Sequence, residues 1–253
     1  MSARILVLSG TGAFADPWHE MDLTSETLAT VLRGPCVTAA ALHPDFESTM
    51  APEVIVRKTE PNALSDLADF DLLVLNTSAQ PLTDPSAAVA VELQSEREPL
   101  IEQIVAWAQA GGRVLAVHQT LLTAEQHPKL AAVIGGNWVT GVSGHPPIGE
   151  LTLIAPKNLN MPFDGATQAG ETLIRTHDEQ YQQLYCEAGN HVIGYLSTLG
   201  GDESAGEQDP GIWVHQAQSG RAITSTLGHD ELGYVSPRYR ALLRNLVRWL
   251  LAE

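Results

Sequence analysis

The chain has 253 residues, of which 44% are hydrophobic and 17% are charged. Its 14 Lys and Arg residues stand against 30 Asp and Glu residues, which gives a formal net charge of −16 with His counted as neutral. Neutralising a phosphate backbone requires clustered Lys and Arg, so this charge argues against a nucleic-acid partner.

Neither membrane insertion nor secretion is expected. No apolar run approaches the ~20 residues that cross a bilayer, and the apolar segment near the N-terminus is too short for a signal peptide. The two cysteines, Cys36 and Cys186, are too few for a disulfide framework or a cysteine zinc site. We therefore expect a cytoplasmic protein with a small-molecule partner, and homo-oligomerisation, which is usual for α/β domains, stays open.

In the first half of the chain, short apolar runs alternate with amphipathic stretches, which is the pattern of a parallel sheet with crossover helices. The pattern predicts strands at 5–8, 36–42, 53–57, 71–76 and 113–117. Helices are predicted at 23–33, with Asp22 as the N-cap, and over most of 85–110.

After Gly144 the apolar runs become short and are separated by Gly, Pro and Asn turns, which is typical of antiparallel strands. These runs lie at 150–155, 173–176, 191–197, 212–216 and 222–227, with a polar loop at 200–211 and a closing helix at 241–251. The predicted fold is α/β: an open, mostly parallel sheet with flanking helices and antiparallel additions in the C-terminal half. Residues 1–253 are expected to form one domain.

Ligands of open α/β sheets bind beyond the carboxyl ends of the strands, so the residues that follow each strand are the site candidates. Gly10-Thr11-Gly12 and then His19 follow the first strand. No complete phosphate-binding motif is present, so the glycines indicate either a turn with positive φ or a phosphate loop.

His118 follows the strand at 113–117, which a Gly-Gly pair precedes. A reactive side chain on a tight turn between a strand and a helix is the arrangement of a nucleophile elbow, with His in place of Ser or Cys. A histidine here is either a hydrogen-bonded core residue or a site residue.

Two acidic segments offer imidazoles beside carboxylates. His229 and Glu231 form a His-x-Glu pair of the kind that general-base catalysis needs, or else a solvated turn. The segment from His177 to Tyr181 combines an imidazole, two carboxylates and a phenol, which suits sugar hydroxyls, although an exposed acidic turn would have the same composition.

Together, six segments resemble the ThuA-like (trehalose-utilisation) family, which has the class I glutamine-amidotransferase-like fold. They are the first strand with its glycine loop and His19, residues 111–118, residues 135–138 followed by His145, residues 178–181, Trp213 followed by residues 220–222, and residues 227–230. Two features depart from the family's pattern. The family's His-Pro-Ile segment corresponds to residues 160–162 of this chain, which are Asn-Met-Pro. The glycine loop of this chain is longer and more apolar than the family's, with Phe14 and Trp18.

The resemblance implies the amidotransferase fold without glutaminase chemistry. Those enzymes have a Cys nucleophile at the elbow, where this chain has His118. The predicted catalytic residues are His118, His229, Glu231 and Asp178, and the predicted substrate-binding residues are His19, His145, Glu179 and Tyr181.

Two kinds of chemistry stay open for these residues. His19, His118 and His229 each follow a predicted strand end, so they are placed to hold a divalent metal such as zinc. Alternatively, the imidazoles act as general acids and bases without a metal. The family's association with trehalose and keto-sugars implies an enzyme that isomerises, hydrates or cleaves a sugar. A non-catalytic sugar-binding or regulatory module is the alternative.

Overall fold

A computed structural model describes residues 2–34, 51–79, 87–155, 173–198 and 209–252. It contains eleven strands, which are β1 (Arg4–Ser9), β2 (Glu53–Lys58), β3 (Leu72–Asn76), β4 (Arg113–Val117), β5 (Gly136–Asn137), β6 (Gly149–Ile154), β7 (Leu173–Asp178), β8 (Tyr185–Cys186), β9 (His191–Thr198), β10 (Asp209–Ala217) and β11 (Gly220–Ser225). The helices are α1 (Met21–Arg33), α2 (Ala87–Gln109), α3 (Thr120–Gln126), α4 (Pro128–Ile134) and α5 (Pro237–Leu251).

Nine strands form one mixed sheet in the order β2-β1-β3-β4-β11-β10-β9-β6-β7, while β5 and β8 form a separate pair. The first five strands in this order are parallel to one another. Every pairing from β11 to β7 is antiparallel. The predicted α/β fold, with a parallel half and antiparallel additions, is confirmed.

The two faces of the sheet are covered by different helices. Apolar side chains of α1 and α5, including Leu28 and Leu246, pack on one face. Side chains of α2 and α4, including Ile104 and Leu130, pack on the other face. The central strands are therefore apolar on both sides, as is usual for buried parallel strands. No helix among the described residues is long and apolar enough to span a membrane.

Several predicted boundaries need correction. The first helix begins at Met21 with Glu20 as its N-cap, so Asp22 is not the cap; it lies in the first turn and pairs with Lys58 at 2.7 Å. Residues 209–211 begin β10 instead of ending a loop, because Asp209 and Pro210 pair with β9. The predicted strand at 36–42, the segment 160–162 and the loop residues 200–208 lie outside the described residues.

Strand direction determines where the site lies. Four successive antiparallel pairings separate β11 from β7, so β7 runs in the same direction as β11 and the parallel half. The carboxyl ends of β1, β4, β7 and β11 therefore reach the same edge of the sheet. The residues that follow these four strands are the ones that can meet there.

Gly220, at the start of β11, allows a close approach between two backbone segments. A Cβ atom at this position would overlap the carbonyl oxygens of Ala108 and Gly112. We expect Gly220→Ala to lower the free energy of unfolding by about 1–3 kcal/mol, because backbone atoms cannot move aside without strain. Urea unfolding measures the change. Gly189→Ala is the control, since nothing lies within 4 Å of its Cβ position, and equal stabilities for the two variants would contradict the expectation.

Candidate functional site

His118 is held at the end of β4 in a strained turn. Its φ is 37°, a left-handed conformation that non-glycine residues rarely adopt. The backbone N–H donates to the carbonyl of Ser225 at 2.7 Å, and the imidazole Nδ1 donates to the carbonyl of Thr226 at 2.7 Å. Because a carbonyl only accepts, Nδ1 carries the proton and the lone pair of Nε2 points away from it. The side chain is fully buried.

His19 is oriented by a carboxylate in the same loop. Its Nδ1 lies 2.8 and 2.9 Å from the two carboxylate oxygens of Asp16, whose side chain is completely buried. The same carboxylate accepts the backbone N–H groups of Trp18 and His19. Nδ1 is therefore the donor, and the other ring nitrogen, Nε2, faces Glu179 and the other imidazoles.

Glu179, which follows β7, lies among the imidazoles. Its Oε2 is 3.4 Å from both His118 Nε2 and His229 Nδ1, and its Oε1 is 3.3 Å from His145 Nδ1. One ligand atom from each of His19, His118, His229 and Glu179 lies within 4.8 Å of every other. We call these four residues the histidine cluster.

The imidazole nitrogens that face the cluster have no hydrogen-bond partner among the described residues. They are His19 Nε2, His118 Nε2 and His229 Nδ1, and all three are buried. Buried polar atoms are nearly always hydrogen-bonded, so each exception calls for an explanation. Three such atoms converging beside one carboxylate indicate a binding position at their centre.

Burial and mutual contacts set the charges of the cluster. Burial lowers the pKa of His118 to about 4, so this imidazole is neutral at neutral pH. Burial acts to raise the pKa of Glu179, but its contact with His229 outweighs burial and brings the pKa well below its usual value. For His229, burial acts to lower the pKa, and contact with Glu179 reverses this and raises it.

Asp178 lies behind the cluster and binds backbone. Its carboxylate accepts the N–H groups of Glu179 at 2.9 Å, Gly228 at 2.8 Å and His229 at 3.2 Å. Burial raises the pKa of Asp178 to about 7, although these three donors act in the opposite direction. The structure therefore places this predicted catalytic residue where it fixes the main chain beneath Glu179 and His229.

A cavity of about 500 Å³ opens in front of the cluster. The predicted binding residue Tyr181 lines it and stacks on His118 with ring centroids 4.2 Å apart. The lining consists of Trp18, His19, Leu122, Trp138, His145, Glu179, Tyr181 and His229. The lining therefore combines aromatic and aliphatic side chains with imidazoles and a carboxylate.

The structure brings most of the predicted site residues together, but not Glu231. Glu231 is exposed in the 3-10 helix Glu231–Tyr234, and His229 turns its Nδ1 toward Glu179 instead. His177 also lies apart from the cluster, at 3.3 Å from Glu150 on the paired strand β6.

Sequence reasoning missed Asp16 and the lining residue Leu122. An Asp three residues before a candidate His, followed by Pro17, is a recognisable turn signal, and it could have identified Asp16 as the partner of His19. No local signal identifies Leu122, because it reaches the cavity through the packing of α3.

Solved structures share this fold. The chain matches a ThuA-like protein from Parabacteroides merdae with a TM-score of 0.69 at 13% identity, over 100% of this chain and 91% of that one. A ThuA-like protein from Bacteroides uniformis gives 0.59 at 14%, over 98% and 91%. A cytoplasmic protein from Salmonella typhimurium gives 0.56 at 12%, over 98% and 99%. At such identities the likeness shows an α/β fold of the ThuA-like type and nothing finer.

A comparison of the sequence with family models identifies the family. The sequence model of ThuA, described as trehalose utilisation, matches residues 4–250. The chain belongs to the ThuA family, which confirms the resemblance drawn from its motifs and supports a carbohydrate-related role. No curated protein matches the chain in sequence.

Removing Asp178 should destabilise the protein. In Asp178→Ala, the buried N–H groups of Glu179, Gly228 and His229 lose their acceptor. An unpaired buried donor costs about 1–3 kcal/mol, so we expect a loss of about 3 kcal/mol or more in urea unfolding. Asp178→Asn keeps one acceptor oxygen and should lose less. Parent-like stability of the alanine variant would contradict this structural role.

Proposed function

We propose that this ThuA-family chain is a cytoplasmic enzyme that acts on a trehalose-related sugar or keto-sugar. Its histidine cluster would hold a divalent metal such as zinc. The observation that carries the proposal is the convergence on one carboxylate of three buried imidazole nitrogens that make no hydrogen bond within the described residues. We propose His19, His118 and His229 as metal ligands and Glu179 as the fourth ligand or the adjacent base.

The donor set fits zinc. Imidazole nitrogens bind zinc in the neutral form, and burial favours that form for His118. Metal-bound histidines commonly donate their other N–H to a carboxylate or carbonyl, as His19 does to Asp16 and His118 does to Thr226. An ion bound there would act as a Lewis acid that polarises a sugar carbonyl.

Proton transfer is assigned to Glu179 and His145. His145 Nδ1 lies 3.3 Å from Glu179 Oε1, and the imidazole is 37% exposed on the cavity wall. A carboxylate next to a partly exposed imidazole can pass a proton between a bound substrate and water. His118 stands where an amidotransferase has its Cys nucleophile, so glutamine hydrolysis forms no part of the proposal.

Acid–base catalysis without a metal is the second candidate. The 3.4 Å contacts of Glu179 with His118 and His229 favour it, because carboxylate–imidazole pairs are themselves proton-transfer groups. A non-catalytic module would need only the aromatic side chains of the cavity lining to bind a sugar. The two experiments below separate these possibilities.

The first experiment removes one proposed ligand. Chelator-stripped parent protein should take up one zinc ion per chain in calorimetric titration. Mutating a residue that only hydrogen-bonds a metal ligand costs about 10–100-fold in affinity. His118→Ala removes a ligand itself, so it should lose more than about 100-fold in zinc affinity. Turnover of a keto-trehalose, followed by NMR, should fall with it. The control is His191→Ala, which removes an exposed imidazole outside the cluster.

The outcomes of this first experiment are distinct. If the parent binds no zinc but turns over the keto-sugar, catalysis occurs without a metal. If His118→Ala binds sugar like the parent and neither protein turns it over, the enzyme proposal is wrong and the binding module remains.

The second experiment changes the carboxylate behind His19. Asp16→Asn keeps a carbonyl oxygen that can accept the backbone N–H groups of Trp18 and His19, but it replaces one of the two carboxylate oxygens facing Nδ1. We expect zinc affinity to fall about 10–100-fold while urea stability changes little. Asp22→Asn, on the exposed partner of Lys58, is the matched control. Unchanged zinc affinity in Asp16→Asn would exclude Asp16 from orienting the ligand.

A further inference from the structure

Two side-chain amides, those of Asn76 and Gln119, are completely buried at the ends of neighbouring strands. Asn76 is the last residue of β3, and Gln119 comes two residues after the end of β4. Gln119 Nε2 donates to Asn76 Oδ1 at 2.6 Å. A buried amide is costly unless it is hydrogen-bonded, and this bond joins the two strand ends through their side chains.

Asn76 also binds the N-terminal part of α1. Its Nδ2 donates to Thr24 Oγ1 at 2.9 Å and to Ser25 Oγ at 2.8 Å. Thr24 Oγ1 donates its single proton to the carbonyl of Glu20 at 3.1 Å, so it can only accept from Asn76. This requirement leaves Asn76 Oδ1 facing Gln119. We call the four residues the amide bridge: Thr24, Ser25, Asn76 and Gln119.

The two ends of the amide bridge are each next to a cluster histidine. Gln119 directly follows His118, and its Nε2 also lies 3.1 Å from Met21 Sδ in α1. The backbone N–H of Met21 donates to the carbonyl of His19 at 3.0 Å. The bridge therefore joins the chain segments that carry the rings of His19 and His118, whose centroids lie 5.2 Å apart.

Hydrogen bonds hold a helix and a strand end at a fixed separation in a way that apolar contacts do not. Their distances and angles lie in narrow ranges, whereas apolar surfaces can slide over one another. Metal ligands must be held within about 0.5 Å of their working positions. A directional link between the segments of His19 and His118 meets this requirement.

We propose that Asn76 and Gln119 are positioning residues, which act through the amide bridge to hold His19 and His118 at the separation that metal binding requires. The metal part of this inference rests on the proposed function. The separation of the two rings does not, because the bridge is complete without an ion. Neither amide is among the described lining residues of the cavity, so both act through the histidines.

The first readout needs no metal. In chelator-treated protein, the nuclear Overhauser effect between ring protons of His19 and His118 reports their separation. Gln119→Met keeps the side-chain length but removes the donor, and Thr24→Val keeps the shape but removes the acceptor. Both variants should weaken the effect. Because it falls with the sixth power of distance, a shift of about 0.5 Å from 5.2 Å reduces it by about 40%.

Thr224→Val is the matched control. Thr224 is as completely buried as Thr24, and its hydroxyl donates to the carbonyl of Ile134 at 2.8 Å, outside the amide bridge. The control should lower the urea unfolding midpoint as much as Thr24→Val does, yet leave the effect between the two rings unchanged. A bridge that only stabilised the fold would give the same result for both variants.

The second readout is zinc affinity, measured by calorimetry. Gln119→Met and Thr24→Val should bind zinc about tenfold more weakly than the parent, the lower end of the range for residues behind metal ligands. Thr224→Val should bind zinc like the parent.

The outcomes separate the amide bridge from the metal site. An unchanged effect between the rings in both bridge variants overturns the inference, and so does an equal reduction in Thr224→Val. A weakened effect with parent-like zinc affinity overturns the role of the bridge in metal binding. If the parent binds no zinc, the metal assignment of the proposed function is wrong, and the effect between the rings alone decides whether the bridge positions His19 and His118.

Discussion

The site depends on one buried carboxylate, that of Asp178. Strand β7 lies at the far edge of the sheet from the parallel half, with β10, β9 and β6 between it and β11. Asp178 accepts N–H groups from Gly228 and His229, which follow β11, as well as from Glu179. These bonds tie the end of the edge strand to the loop of the parallel half. Glu179 faces the imidazoles because the residue before it is held in this way.

The second constraint is electrostatic. His118 is neutral through burial, and Glu179 is kept ionised by its contact with His229. The cluster therefore presents the lone pair of His118 Nε2 and one negative charge in a largely buried space. Buried charges are costly unless they are paired. In the proposed metal site, a cation at the centre would pair this charge and bind the three nitrogens, which have no hydrogen bond within the described residues.

The sequence predicted the parallel half of the fold and that His19, His118 and His229 lie close together, since both depend on local patterns. Apolar runs ending in small or polar residues marked β1, β3 and β4, and His118 was marked by the Gly-Gly pair and the strand before it. Glu179 was a predicted binding residue, but its position among the imidazoles could not be predicted. It depends on four antiparallel registers, and such long-range pairings leave no local signal. For the same reason, the local His-x-Glu pattern predicts Glu231, two residues away, as the partner of His229. The structure instead places Glu179, fifty residues away, next to His229.

These contacts show which of the acidic residues near the cluster contribute charge to the cavity. Of the acidic residues near the cluster, Asp178 and Asp230 accept backbone N–H groups, and Glu231 is exposed. Glu179 alone among these four lines the cavity. The binding space therefore carries little of the net charge of −16. The charge of Glu179 would be balanced by the proposed divalent ion, and aromatic and aliphatic side chains form much of the rest of the lining. A single carboxylate, that of Asp16, holds both the backbone of Trp18 and the imidazole of His19, so two of the lining residues depend on one buried side chain.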